Sequence, residues 1–176
     1  MVIPYAASTE WYSEWLRARL GGLYDPEACR EASRIYQTDT RPFRRTVIPA
    51  DNGPMTLSVS VAKGPGHFIS SHGRWPKVHL GALNAIYGRA PFFQHIFPYL
   101  SQALLDTPET IPELNAAIHR IITGWIDMDA ARLAISLPPE APAHALASEL
   151  KKITDPSLSI LDPIFRFGID TTLLLI

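Results

Sequence analysis

The sequence predicts a single α/β domain in which a small mixed β-sheet is covered by helices. Three observations support this fold class. The chain has 176 residues, of which 47% are hydrophobic, so it can bury one sizeable core. Residues 44–61 have the alternating pattern of a β-hairpin, and much of the remaining chain has apolar residues at helical spacing. One domain over residues 1–176 is therefore the expected organisation.

The hairpin is the clearest strand prediction. Its second strand alternates between apolar and polar residues, which is the period of a strand with one buried face. Asn52 and Gly53 precede this strand and are a favoured pair for a tight turn. The alternating residues are Met55, Thr56, Leu57, Ser58, Val59, Ser60 and Val61.

The chain before the hairpin predicts one helix and one further strand. Residues 2–5 are apolar and are expected to form a first strand. A helix is expected from Ser8 or Thr9 to Leu20, because a hydroxyl side chain can cap its start and a Gly-Gly pair follows it. Residues 27–37 fit either a strand or a helix.

Helical patterns follow the hairpin. A helix is predicted from Pro76 to Tyr87, since proline suits the first helical position and glycine comes directly after the last. Pro91 opens another helix. Thr110 and Glu113 form a capping box before an amphipathic stripe, which predicts a third helix there.

The C-terminal part predicts shorter elements. Residues 133–137 are expected to form a short buried strand. A helix is expected through Leu150 and Ile153. Asp162 stands before Pro163, which is the sequence of an N-cap followed by the first helical residue.

Charge and composition exclude several partners. The net charge is −1, from 16 basic and 17 acidic residues, so neither nucleic acid nor an anionic membrane surface is expected as a partner. The first residues lack the pattern of a signal peptide, and no apolar run is long enough to span a bilayer. The single cysteine, Cys29, excludes an internal disulfide and fits a reducing compartment. We therefore expect a cytoplasmic protein without a membrane span.

Motifs for cofactors and metals are missing. The sequence has no glycine-rich phosphate loop with the required spacing, no paired Cys/His spacing and no HExxH. We therefore expect neither a cofactor nor a metal. The oligomeric state is not indicated.

Residues 71–105 contain the densest set of candidate site residues. Trp75, His79, Leu83 and Ile86 fall on one face of the predicted helix, which places an imidazole on an apolar stripe beside an indole. Such a histidine is either a packed, hydrogen-bonded core residue or a site histidine whose pKa is tuned by burial. The residues alone leave both alternatives open.

Three blocks, in order, resemble the WbqC-like family of bacteria. They are FRRTVIPADNGPMTLSVSV, WPKVHLGALNAIYGRAPFFQHIFPYL and LSILDPIFRFG. Members of that family are associated with O-antigen and other surface-glycan biosynthesis, and a glycine transferase role has been suggested for some. The resemblance thus implies a transferase that moves an aminoacyl, glycine or acyl group to a sugar, with an activated sugar or amino acid as small-molecule substrate.

The alternative is a non-catalytic ligand-binding or partner protein in the same pathway. The chain is shorter than the family pattern, and the lysine expected at 38–40 is missing. Both departures favour this alternative.

The resemblance also indicates site residues. If the protein is a transferase, His79 is expected to act as general base, because imidazole titrates nearest to neutral pH. Tyr87 would donate a hydrogen bond to developing negative charge, or else be a core residue. Positions carried over from the family pattern are Arg45, Asn52, Trp75, His79, Tyr87 and Asp162.

The remaining predicted residues would bind substrate. Arg44 and Arg45 would hold a carboxylate or phosphate, because guanidinium groups contact these anions through two hydrogen bonds. Trp75 would stack on a sugar or shield the pocket from water. Asn52 and Lys77 complete the predicted substrate-binding set. Alternatively, Arg45 is a surface charge at a strand edge and Trp75 packs the start of a helix.

Overall fold

Helices form most of the structure, and a two-stranded antiparallel sheet lies among them. The computed structural model describes residues 3–21, 41–63, 68–71, 73–106 and 108–176. The strands are β1 (Arg45–Ile48) and β2 (Met55–Ser58). The helices, in chain order, are α1 (Thr9–Gly21), α2 (Trp75–Tyr87), α3 (Phe93–Leu105), α4 (Ile111–Thr123), α5 (Met128–Ser136), α6 (Pro142–Lys152), α7 (Leu161–Phe167) and α8 (Thr171–Leu175).

The sheet is the predicted hairpin. β1 and β2 pair in antiparallel register, with Arg45 opposite Ser58. The connection turns where the N–H of Gly53 donates to the carbonyl of Ala50 at 3.0 Å. Gly53 has a φ of 103°, a conformation that glycine adopts without steric cost. The hairpin prediction is confirmed.

The wider mixed sheet was a wrong prediction for the described residues, where the only sheet is the β1–β2 pair. Residues 133–136 form the end of α5 instead of a strand. Asp127 starts that helix, because its Oδ1 accepts hydrogen bonds from the N–H groups of Asp129 and Ala130. A short apolar run fits a buried strand and a helix equally well, so the run alone could not decide.

Most predicted helices are confirmed, and one helix start is corrected. The capping box is present, since Thr110 Oγ1 accepts from the N–H of Glu113 and the Glu113 carboxylate accepts from the N–H of Thr110. The correction concerns α7, whose N-cap is Ile160. Asp162 therefore lies inside the first turn and does not cap the helix.

One face of α2 is fully buried and forms a central part of the core. Its buried residues are Trp75, His79, Leu83 and Tyr87, so Tyr87 takes the place that the predicted stripe gave to Ile86. The ring of Phe165 from α7 packs on Tyr87, with 4.8 Å between centroids. The C-terminal part of the chain thus packs against this helix.

A seam of hydrogen bonds holds the N-terminal segment beside the hairpin. The Thr46 hydroxyl donates to the carbonyl of Ala6 at 2.7 Å, and the N–H of Ser159 donates to the carbonyl of Val47 at 2.7 Å. This seam brings Tyr5 to the core face of α2. The ambiguous segment 27–37 lies outside the described residues. Among the described helices, none is long and apolar enough to cross a bilayer.

Candidate functional site

His79 is hydrogen bonded through both ring nitrogens. Its Nδ1 lies 2.8 Å from the hydroxyl of Tyr5, and its Nε2 lies 3.2 Å from the carbonyl oxygen of Ser58. A carbonyl oxygen can only accept, so Nε2 carries the proton and Nδ1 accepts from the Tyr5 hydroxyl. The partners fix the neutral tautomer of the ring.

Burial keeps this ring uncharged at neutral pH. The side chain of His79 is 2% exposed. Burial lowers the pKa of His79 to about 4, and the hydrogen bond with Ser58 offsets only part of that effect. Burial also raises the pKa of Tyr5. Both partners are therefore neutral, and neither nitrogen of His79 faces an open space in this arrangement.

Trp75 lies between His79 and a pocket of about 390 Å³, which we call the Trp75 pocket. The indole edge packs on the imidazole, with 5.2 Å between ring centroids. Trp75 also lines the pocket, whereas His79 does not. His79 thus packs against Trp75 and does not itself reach the pocket. The pocket is lined by Phe68, Ile69, Ser70, Ser71, Gly73, Trp75, Pro76, Pro108 and Glu109.

The Trp75 pocket combines aromatic, hydroxyl and carboxylate groups. Phe68 is 50% exposed and contributes an open aromatic ring. Ser70 and Ser71 contribute hydroxyl groups, and Glu109 is the one charged side chain among the described residues of the lining. The volume lies within the range of about 300–1,000 Å³ that is typical of small-molecule sites. This lining suits a neutral ligand with several hydroxyl groups.

Backbone pairing brings two distant segments together to form this pocket. The N–H of Ile69 donates to the carbonyl of Glu109 at 2.8 Å, and the N–H of Ser70 donates to the carbonyl of Ser60 at 2.9 Å. The loop before α2 therefore lies between the hairpin and the start of α4. Sequence reasoning missed Glu109, because nothing local indicates this pairing.

The two predicted arginines lie apart from the Trp75 pocket. The guanidinium of Arg44 donates to the carbonyl of Val59 at 2.9 Å, next to the Ser58 carbonyl that holds His79. Arg45 is exposed and lines a different pocket, of about 220 Å³, together with Trp11. The structure does not bring Arg45 and Trp75 into one pocket.

The other predicted binding residues are exposed. Asn52 lies in the turn of the hairpin, and Lys77 lies in the first turn of α2. Neither side chain lines the Trp75 pocket.

Tyr87 lies in a second buried polar group, at the contact between α2 and α7. Burial raises the pKa of Tyr87, and the nearby negative charge of Asp162 adds to the effect. The contact between hydroxyl and carboxylate falls short of hydrogen-bond geometry. Asp162 accepts instead from the guanidinium of Arg166 at 3.3 Å. Tyr87 and His79 share the buried face of α2 but have different polar neighbours.

His119, on α4, is a further candidate site residue. Its Nδ1 lies 2.9 Å from the hydroxyl of Tyr12, and its ring packs on the tryptophans of α1. The ring is partly exposed, and its Nε2 has no hydrogen-bond partner among the described residues. Burial lowers the pKa of His119. In the sequence, the i, i+4 spacing of Trp11 and Trp15 indicates an aromatic face on α1. It does not indicate that His119 packs on that face.

Within the described segments, no three histidine, cysteine, aspartate or glutamate side chains are placed to hold a metal ion.

A family model described as the WbqC-like protein family matches residues 36–152. The match contains the hairpin, the Trp75 pocket and both histidines, His79 and His119. It leaves out Tyr5 and Tyr12, the tyrosines that hydrogen bond to those histidines. No curated protein and no solved structure matches the chain.

Proposed function

The chain belongs to the WbqC-like protein family, and from that premise we propose that it is a transferase in bacterial O-antigen or surface-glycan biosynthesis, with a sugar bound in the Trp75 pocket. Family membership supports the association with glycan biosynthesis. The observation that supports a sugar in this pocket is its lining, which joins aromatic rings to hydroxyl and carboxylate groups.

Sugars need both kinds of contact. Their C–H faces pack on aromatic rings, which Phe68 and Trp75 can supply. Their hydroxyl groups need donors and acceptors, which Ser71 and Glu109 can supply. Among the described residues of the lining, Glu109 adds negative charge and no basic side chain offsets it, so the pocket favours a neutral sugar over a phosphorylated one.

In the proposed reaction, a hydroxyl or amino group of the bound sugar attacks the carbonyl carbon of an activated acyl or aminoacyl donor. Glu109 accepts the proton of the attacking group as the new bond forms. The leaving group of the donor departs with the electron pair of the broken bond. Glu109 is exposed, so the resulting proton can pass to solvent.

His79 has a positioning role in this proposal. Its ring holds the indole of Trp75 against the pocket, while Tyr5 and Ser58 hold the ring. General-base catalysis by His79 itself stays a prediction, and it requires Tyr5 to release Nδ1, the ring nitrogen without a proton. The role of Tyr87 toward developing negative charge and the anion-binding roles of Arg44 and Arg45 also stay predictions.

The experiment is a binding titration with a panel of free monosaccharides, their nucleoside diphosphate forms and free amino acids. Phe68→Ala should weaken sugar binding by about 3- to 10-fold, because an aromatic contact contributes about 0.5–1.5 kcal/mol. Leu133→Ala is the matched control, since Leu133 is also an exposed apolar residue, at 62%, and lies outside the pocket. The proposal fails if no sugar binds, or if both variants bind sugar like the wild type.

A second candidate function is a non-catalytic sugar-binding protein of the same pathway. The observation that favours it is the occupation of both His79 nitrogens by the protein itself. Glu109→Gln separates the two functions, with the exposed Glu140→Gln as control. A transferase loses turnover in Glu109→Gln while sugar binding changes little, whereas a binding protein shows no turnover in any form.

A further inference from the structure

A second pocket, of about 480 Å³, lies between α3 and α4. We call it the Tyr99 pocket. Tyr99, Gln102 and Asp106 line it from the α3 side, and Glu113 and Arg120 line it from α4. Apart from the capping box that Glu113 forms with Thr110, neither the family match nor the sequence patterns assign a role to these side chains.

The Tyr99 pocket adjoins the Trp75 pocket. Pro108 lines both, so the two pockets lie on either side of one proline residue. The ring of proline fixes its backbone φ, which makes this shared wall stiff. A ligand that fills one pocket and continues past Pro108 enters the other.

The lining of the Tyr99 pocket suits a neutral ligand with many hydroxyl groups. Tyr99 is 60% exposed and offers an open aromatic ring. Gln102 can donate and accept, the Asp106 carboxylate and the second carboxylate oxygen of Glu113 can accept, and Arg120 can donate. Because Asp106 and Glu113 outnumber the guanidinium of Arg120 in the described part of the lining, a phosphorylated ligand is disfavoured here. The two pockets therefore have similar recognition chemistry.

We infer that the two pockets are adjoining subsites for one glycan chain, so that the sugar substrate is an oligosaccharide of at least two units. This inference rests on the proposed function, because it takes the Trp75 pocket as a sugar site. A single sugar fills one pocket, whereas linked sugars fill both. The second unit then binds from a high effective concentration, so affinity rises with chain length.

The experiment has two stages. An array of glycans with one to six sugar units identifies the chains that the protein retains, and each retained chain is then titrated beside its own monosaccharide. The oligosaccharide should bind at least about tenfold more tightly than the monosaccharide. Tyr99→Ala should weaken oligosaccharide binding by about 3- to 10-fold and leave monosaccharide binding within about twofold.

Two variants sharpen the result. Phe68→Ala should weaken binding of both ligands, because its ring belongs to the first pocket. Leu133→Ala, at a residue as exposed as Tyr99, should weaken neither. Thermal unfolding of each variant shows that the fold is retained.

Three outcomes overturn the inference. If monosaccharides bind and respond to Phe68→Ala, but longer chains bind no tighter, the sugar pocket stands and the second subsite does not exist. The same conclusion follows if Tyr99→Ala and Leu133→Ala behave alike. If the array retains no glycan of any length and no monosaccharide binds, both the inference and the proposed function fail.

Discussion

The structure contains two histidines that contact a tyrosine hydroxyl in the same way but differ in their surroundings. Tyr5 approaches Nδ1 of His79 at 2.8 Å, and Tyr12 approaches Nδ1 of His119 at 2.9 Å. His79 is buried, and its Nε2 donates a hydrogen bond to the backbone carbonyl of Ser58. His119 is partly exposed, with its second nitrogen unpaired among the described residues.

The comparison shows that the Trp75 pocket and Nε2 of His119, the nitrogen without a described partner, lie in different parts of the structure. The Trp75 pocket lies beside the sealed histidine, and the accessible nitrogen belongs to a cluster on α1 and α4. Tyr12 is fully buried, and its hydroxyl has only His119 as a described acceptor. That hydroxyl therefore donates to Nδ1, and the neutral ring offers Nε2–H as a donor instead of a base.

The largest expected contrast is in stability. His79→Ala should lower the free energy of unfolding by about 3–5 kcal/mol, because it opens a cavity and leaves two buried groups without partners. His119→Ala should lower it by about 1–2 kcal/mol, because that ring is partly solvated. Urea denaturation of both variants measures the difference. Equal losses of unfolding free energy in the two variants would show that the ring of His79 is not buried in solution.

A smaller effect is expected from pH. The pKa of His79 is about 4 in the folded protein and has an ordinary value of 6.5, so the unfolded chain takes up its proton first as the pH falls. The contribution of His79 to stability is complete above pH 6.5 and is lost as the pH falls toward 4. Between pH 7 and pH 5 this amounts to about 2 kcal/mol.

Denaturation of the wild type and of His79→Gln at both pH values checks this effect. The variant should lack this part of the pH dependence. His119→Gln is the control for the other ring, whose lowered pKa acts in the same direction. If His79→Gln keeps the full pH dependence of the wild type, the buried neutral ring is not its source.

The smallest contrast concerns the tyrosine hydroxyl groups. Tyr5→Phe should lower the free energy of unfolding by about 1–3 kcal/mol, because it leaves the buried Nδ1 of His79 without a hydrogen-bond partner. Tyr12→Phe should cost about 0.5–1.5 kcal/mol, since the partly exposed ring of His119 can turn a nitrogen toward water. Thermal and urea unfolding compare the pair. A larger loss of unfolding free energy in Tyr12→Phe than in Tyr5→Phe would show that His119, and not His79, is the more buried of the two histidines.

Local sequence patterns were sufficient to predict the secondary-structure elements that depend on local interactions. The alternation in β2 and the glycine turn predicted the hairpin, and the Thr110–Glu113 capping box predicted the start of α4. The run at 133–137 was assigned wrongly because its length and polarity fit a buried strand as well as the end of a helix.

The surroundings of the site residues could not be predicted in this way, because they come from distant parts of the chain. Tyr5 is 74 positions away from His79, and Tyr12 is 107 positions away from His119. The carbonyl that holds Nε2 of His79 belongs to β2 and has no side-chain signature. Glu109 enters the pocket through backbone pairing with Ile69, which is independent of either side chain.

The central claim is that the Trp75 pocket binds the sugar and the aromatic cluster around His119 does not. The chain has four tryptophans, whose indole N–H resonances report on both regions at once. They can be assigned with single Trp→Phe variants and followed while the ¹⁵N-labelled protein is titrated with each sugar of the panel. We predict that the Trp75 resonance shifts to saturation while those of Trp11 and Trp15 stay in place. Movement of Trp11 and Trp15 with a stationary Trp75 would contradict the account and place the ligand at His119.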